Sequence, residues 1–228
     1  MSADFFFKKF VVRALLCCFV LFICGICFLT AYFQSVKKVF VSFRYYYLVC
    51  EDAYTEAGAI AVYNEGGASY FLEDGKNEWL ALAVYTNRDD VQRVIQMLSK
   101  QEKKVNIIEK EVDVLYFKGA REKAFADAYV KGLKIFDGYI RVLEECIYRL
   151  DDGLSQEKAR GILLLITRQL KHCGDSYARN FPALSKACMQ ARERLEDICS
   201  SVIMAKDLRY LVCEMAEENI ARAKEFVL

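Results

Sequence analysis

Proline is almost missing from this chain, with Pro182 alone among 228 residues, and histidine and tryptophan each occur once, as His172 and Trp79. Scarce proline, no low-complexity tract and 14% aromatics exclude the composition of a disordered chain. A single histidine leaves carboxylates as the main candidates for proton transfer. No G-x-S-x-G, P-loop, GxGxxG, HExxH or kinase signature occurs. Acidic pairs such as Glu51-Asp52, Asp89-Asp90, Glu144-Glu145 and Glu217-Glu218 each fall at a helix start or on a solvated helix face. His172, beside Lys171, reads as an exposed partner of a helix end rather than a ligand. The sequence therefore reads as that of a non-enzymatic protein with no cofactor and no metal.

Net charge is small, at +1, but unevenly spread. Residues 1–44 carry six bases and one acid, and the remainder is net −4. An acidic body lacks the positive face that phosphate-backbone binding requires, so nucleic acid is not an expected partner. The basic front flanks 23 consecutive uncharged residues, Ala14 to Val36. As a helix they reach about 35 Å, against a hydrocarbon core of about 30 Å. Tyr32, Phe33 and the pairs Lys8-Lys9 and Lys37-Lys38 stand where interfacial anchors belong. Leu29 ahead of Thr30-Ala31 spoils an A-x-A cleavage site, so an uncleaved anchor is expected. Three bases on each side nearly balance the positive-inside rule. An N-terminal anchor ahead of a long acidic body suggests N-terminus in the cytoplasm and body outside it, at the cell membrane.

Of ten cysteines, Cys17, Cys18, Cys24 and Cys27 lie in that apolar run, where the thiol serves as a small apolar group. Cys50, Cys146, Cys173, Cys188, Cys199 and Cys213 include no CxxC pair, and several fall on apolar helix faces, so most are expected as buried thiols. In an exported body they suit a low-oxygen habitat or one or two bridges, whose connectivity the sequence does not fix.

After a linker at 37–42, Phe43 to Cys50 is aromatic and β-branched without helical period, and reads as a strand. Asp52 can cap a helix that stops at Asn64-Glu-Gly-Gly67. Strands at 68–73 and 78–85 flank Asp74-Gly75, a hairpin signal. Asn87 opens a helix with Val91, Val94, Ile95 and Leu98 on one face, and a last strand runs from Val105 toward Phe117. The order βαββαβ predicts a ferredoxin-like antiparallel sheet with both helices on one side. Alternation in the third strand assigns Leu80, Leu82 and Val84 to the helix side and Trp79, Ala81, Ala83 and Tyr85 to the other. Two alanines between Trp79 and Tyr85 would make a shallow floor with aromatic walls on which a sugar ring can stack. The same row also suits packing beneath another element, such as the C-terminal helices.

Residues 45–112, with the Tyr-rich first strand, Glu56-Ala-Gly-Ala-Ile60, Gly66-Gly-Ala-Ser-Tyr-Phe71, Glu78-Trp-Leu-Ala-Leu-Ala-Val-Tyr85 and Asn87-Arg-Asp-Asp-Val91, resemble the sporulation-related (SPOR) domain family. The resemblance implies a βαββαβ domain hung from an N-terminal membrane anchor, whose open sheet face binds peptidoglycan glycan strands. Glycan on that face would meet the row that alternation assigns there, Trp79, Tyr85, Ala81 and Ala83, of which only Tyr85 keeps an aromatic where family members carry one. Cys50-Glu51-Asp52 stand where family members carry a Gly-aromatic pair.

From about Arg121 the period becomes helical. Tyr129, Leu133, Phe136, Ile140, Leu143, Ile147 and Leu150 form a heptad seam that ends at Asp151-Asp-Gly153. Ser155 can cap a second helix carrying Ala159, Leu163, Ile166, Leu170 and Cys173. A third starts at Pro182 with Leu184, Cys188, Ala191, Leu195, Ile198, Val202 and Ala205. After Lys206-Asp207 the seam shifts to Leu208, Val212, Ala216, Ile220 and Ala223, so that helix either kinks near Ser200-Ser201 or turns to a new partner.

The expected chain is thus α+β: tail and anchor at 1–36, linker at 37–42, SPOR-like unit at 43–117, and an antiparallel helical bundle or coiled coil at 118–228. Two functions follow: a single-pass envelope protein that binds peptidoglycan or scaffolds an envelope, sporulation or division assembly, or a structural module making only protein contacts, with a partner or with itself.

Overall fold

The computed structural model describes residues 38–50, 56–75, 77–99, 104–117 and 122–226. The expected membrane helix at 14–36 and the Asp52 cap lie outside them. Among the described residues no helix is long and apolar enough to cross a membrane.

Among the described residues ten elements follow in order: β1 Lys38–Cys50, α1 Glu56–Asn64, β2 Tyr70–Asp74, β3 Asn77–Tyr85, α2 Arg88–Ser99, β4 Val105–Phe117, α3 Glu122–Asp151, α4 Gln156–Tyr177, α5 Pro182–Ser200 and α6 Ala205–Phe226. The fold is α+β, with one four-stranded antiparallel sheet in the order β2-β3-β1-β4. This is the strand order that a split βαββαβ arrangement produces. β1 starts at Lys38, so residues 38–42 of the expected linker are strand.

Local chemistry sets the boundaries. Gly66, at φ 94°, ends α1, and the Gly67 N–H returns to the Val62 carbonyl at 2.9 Å. Gly75, at φ 64°, turns the β2–β3 hairpin between the paired Asp74 and Asn77. Asn87 Oδ1 accepts the Asp89 N–H at 3.0 Å, capping α2. Ser155 Oγ accepts the Lys158 N–H to start α4.

The described parts of 40–114 and 126–228 form one compact unit; Lys38, Val39, 115–117 and 122–125 belong to a second. The sheet and bundle expected as successive domains are therefore largely fused. The bundle seams are buried as expected along α3, α4 and α6, from Tyr129 to Ile147, Ala159 to Cys173 and Leu208 to Ala223. On α5 the seam differs from the expectation. Cys199 is buried, whereas Ile198 is only partly so and Val202 is 67% exposed.

Val202 is exposed because the chain breaks there instead of continuing as one helix. Ser201 is extended at φ −122° and ψ −166°. Gln156, in the first turn of α4, pins the break by donating from Nε2 to the Ile203 carbonyl and accepting the Ile203 N–H at Oε1, both at 2.9 Å. Arg160 donates to the Ser201 carbonyl at 2.8 Å. These bonds satisfy backbone groups that the interrupted helix would otherwise leave unpaired.

Candidate functional site

The candidate site is the sheet face bearing Trp79 and Ala81, and β1 defines it. Along that strand Val41, Phe43, Tyr45, Tyr47 and Val49 are buried, while Phe40, Ser42 and Arg44 are exposed before Tyr46 and Leu48 enter the other core. On that other side Tyr46 and Leu48 pack with Val91, Val94, Ile95 and Leu98 of α2. Leu80 packs with Val62 of α1. The residues facing α1 and α2 thus have even numbers in β1.

β3 does not keep the simple alternation expected of it. Tyr46 pairs with Tyr85, Tyr47 with Val84 and Leu48 with Ala83, but Val49 pairs with Ala81 and Cys50 with Leu80. Leu82 is the extra residue of a β-bulge, and such a residue shifts every later side chain to the opposite face. Directly paired residues share a face, so Leu80, Leu82, Ala83 and Tyr85 lie on the α1–α2 side. Trp79, Ala81 and Val84 lie on the other. This corrects the predicted strand phase. Trp79 and Tyr85 do not wall one floor, and Ala81 and Ala83 do not pave it together.

α6 packs on β2 and β3. Ala81 is fully buried, and Ala83 is 6% exposed within the opposite core. Leu72, paired with Trp79, is 1% exposed. Trp79 is partly buried, and its indole N–H has no hydrogen-bond partner. Tyr70 meets Tyr210 of α6 edge to face, with ring centroids 5.4 Å apart.

A row of polar contacts joins this sheet face to the helices. Tyr45 Oη donates to Asp137 Oδ1 of α3 at 2.8 Å and accepts from Asn219 Nδ2 of α6 at 2.6 Å. Burial, the Asp137 charge and its hydrogen bond raise the Tyr45 phenol well above its ordinary value, while Asn219 opposes them. Lys110 Nζ reaches Glu217 Oε2 at 2.8 Å and lies 5.6 Å from the centre of the buried Tyr47 ring. At the end of β3 the Thr86 N–H and hydroxyl donate to Glu144 Oε2 at 3.2 and 2.8 Å. Burial raises the Glu144 carboxyl, against the lowering effect of those bonds. Arg209 of α6 donates to the Gly66 carbonyl at 2.6 Å and pairs with Asp151.

Sequence reasoning did not single out Tyr45, Asp137, Arg209 or Asn219, and it assigned Glu144 and Glu217 to a helix start or a solvated helix face, whereas both are part-buried, Glu144 against Thr86 and Glu217 against Lys110. The one available signal was the spacing of Tyr45 and Tyr47, two residues apart on a strand and hence on one face.

Between α5 and α6 an open groove of about 630 Å³ is lined by Tyr70, Ala191, Arg194, Glu214, Met215 and Glu217, among others. Burial raises the Glu214 carboxyl, and Arg194 at 3.5 Å lowers it in part. Carboxylates with one guanidinium can receive a cationic group of a partner. Among the described residues no group of three or more His, Cys, Asp and Glu could hold a metal. No family model, curated protein or solved structure matches the chain.

Proposed function

We propose that the protein is a single-pass scaffold of the cell envelope, anchored through 14–36 with its body outside the cytoplasm, and that this body makes protein contacts rather than binding glycan or catalysing a reaction. The carrying observation is the occupied sheet face. Ala81, Tyr45 and Tyr47 are fully buried there, with α6 packed on β2 and β3. In the SPOR-like reading that face would have to be open to a glycan strand. The strand order supports a SPOR-like topology, and the covered face favours its use as a packing platform. The α5–α6 groove is the surface we assign to a partner.

Co-sedimentation of the detergent-solubilised full chain with peptidoglycan sacculi tests the scaffold reading. It predicts no more pelleting than for an unrelated anchored protein. Saturable pelleting that disappears in Trp79→Ala with unchanged melting temperature would overturn it. A C-terminal reporter active only outside the cytoplasm tests the topology, and activity of a cytoplasmic reporter would refute it.

A further inference from the structure

Five of the six cysteines outside the N-terminal apolar run are buried, and two of them touch. The Cys188 Sγ lies 3.5 Å from the Cys173 Sγ, joining α4 to α5. The helix backbones are close at the same level. A Cβ placed on Gly174 would stand 3.4 Å from the Ser185 carbonyl oxygen and 2.9 Å from the Met189 Sδ. Ala187 and Ala191, both buried on α5, add little bulk to this seam. A bond length of about 2.05 Å asks the sulfurs to approach from their present contact through side-chain rotation and backbone adjustment.

We propose that Cys173 and Cys188 are a dithiol pair that closes to a disulfide and staples α4 to α5. The inference goes beyond the scaffold reading and holds for the chain in any compartment that supplies a disulfide oxidant; an extracytoplasmic body would meet one. With glutathione disulfide, the Cys173 thiolate attacks one sulfur and expels one glutathione thiolate. Cys188 then loses its proton and attacks the Cys173 sulfur, expelling the second. The protein gives up two electrons and two protons, and the oxidant becomes two glutathione molecules. Cys173 acts first for two reasons. It retains 5% exposure against none for Cys188. The Cys188 thiol also donates to Cys173, which favours the thiolate there and disfavours it at Cys188.

The test incubates the full chain, folded in detergent, with glutathione disulfide, alkylates the remaining thiols and maps the peptides. The expected map joins Cys173 to Cys188 and leaves Cys50, Cys146, Cys199 and Cys213 alkylated. The oxidised protein should melt at a higher temperature than the reduced one. In Cys188→Ala glutathione should be retained at Cys173, whereas in Cys173→Ala none should be found at Cys188. Alkylation of both Cys173 and Cys188, or a bridge from either to a different cysteine, would overturn the proposal. Should either variant fail to fold, the wild-type map decides alone.

Discussion

Tyr85 stands opposite Tyr46 across the β1–β3 ladder, whereas Ala81, four residues earlier in β3, stands opposite Val49 on the other face of the sheet. In a regular strand two residues four apart share a face. One inserted residue, Leu82, separates them, and with them the two aromatics that would otherwise flank a binding floor.

A charge on the covered side of β3 therefore has nowhere to go. Ala81→Asp buries an unpaired carboxylate and should cost several kcal/mol, of the order seen when charge enters a core. Glu78→Ala, at an exposed position of the same strand, should change stability by no more than about 0.5 kcal/mol. Urea denaturation distinguishes them. Equal midpoints for the two variants would mean that α6 does not cover this face.

The buried phenols make stability sensitive to alkali. Burial is the largest cause of the rise at Tyr45, Tyr47 and Tyr85, and Tyr85 is pushed up to about 12. A group held above its unfolded value keeps its full contribution below that value, here about 10, and loses it as pH rises through the folded one. The denaturation midpoint should stay level in this respect up to about pH 10 and fall above it. The slope is about 1.4 kcal/mol per pH unit for each phenol that titrates only in the unfolded chain. Measured midpoints that do not fall between pH 10 and 12 would contradict this burial.

Two glycines of α3 should respond in opposite directions to alanine. A Cβ on Gly132 would meet Leu184 Cδ2 at 2.5 Å and the Tyr177 ring at 3.0 Å, so Gly132→Ala forces α3 away from its neighbours and should cost about 1–3 kcal/mol. At Gly138 nothing lies within 4 Å, and Gly138→Ala should stabilise by up to about 1 kcal/mol through helix propensity. Thermal melts of the two variants should move apart. Movement together would refute the packing of α3 against Tyr177 and Leu184.

Much of the fold was legible where one residue type answers a backbone demand. Asp74-Gly75 marked the hairpin because Gly75 takes a positive φ there, and Asn87 marked α2 because its side chain bonds the Asp89 N–H. The heptad seams appeared because burial repeats with the helical turn. The bulge was not legible. Residues 80–85 are all apolar, so an extra residue leaves no mark in the pattern. The break at 201–204 was foreseen only as a kink near Ser200-Ser201 or a turn of the seam to a new partner, because its pins, Gln156 and Arg160, are more than forty residues away in sequence. Distance along the chain also hid the Tyr45–Asp137–Asn219 contacts, which form only once α3 and α6 pack against β1.

Trp79, as the only tryptophan, makes fluorescence a direct probe of the covered face. The decisive measurement is a titration of the folded full chain with glycan strands lacking stem peptides, following Trp79 emission. With the face occupied by the protein's own helices, emission should keep its wavelength and intensity throughout the titration. A saturable shift on adding glycan, abolished by Ala81→Leu with the fold intact, would contradict the account and return the sheet face to ligand binding.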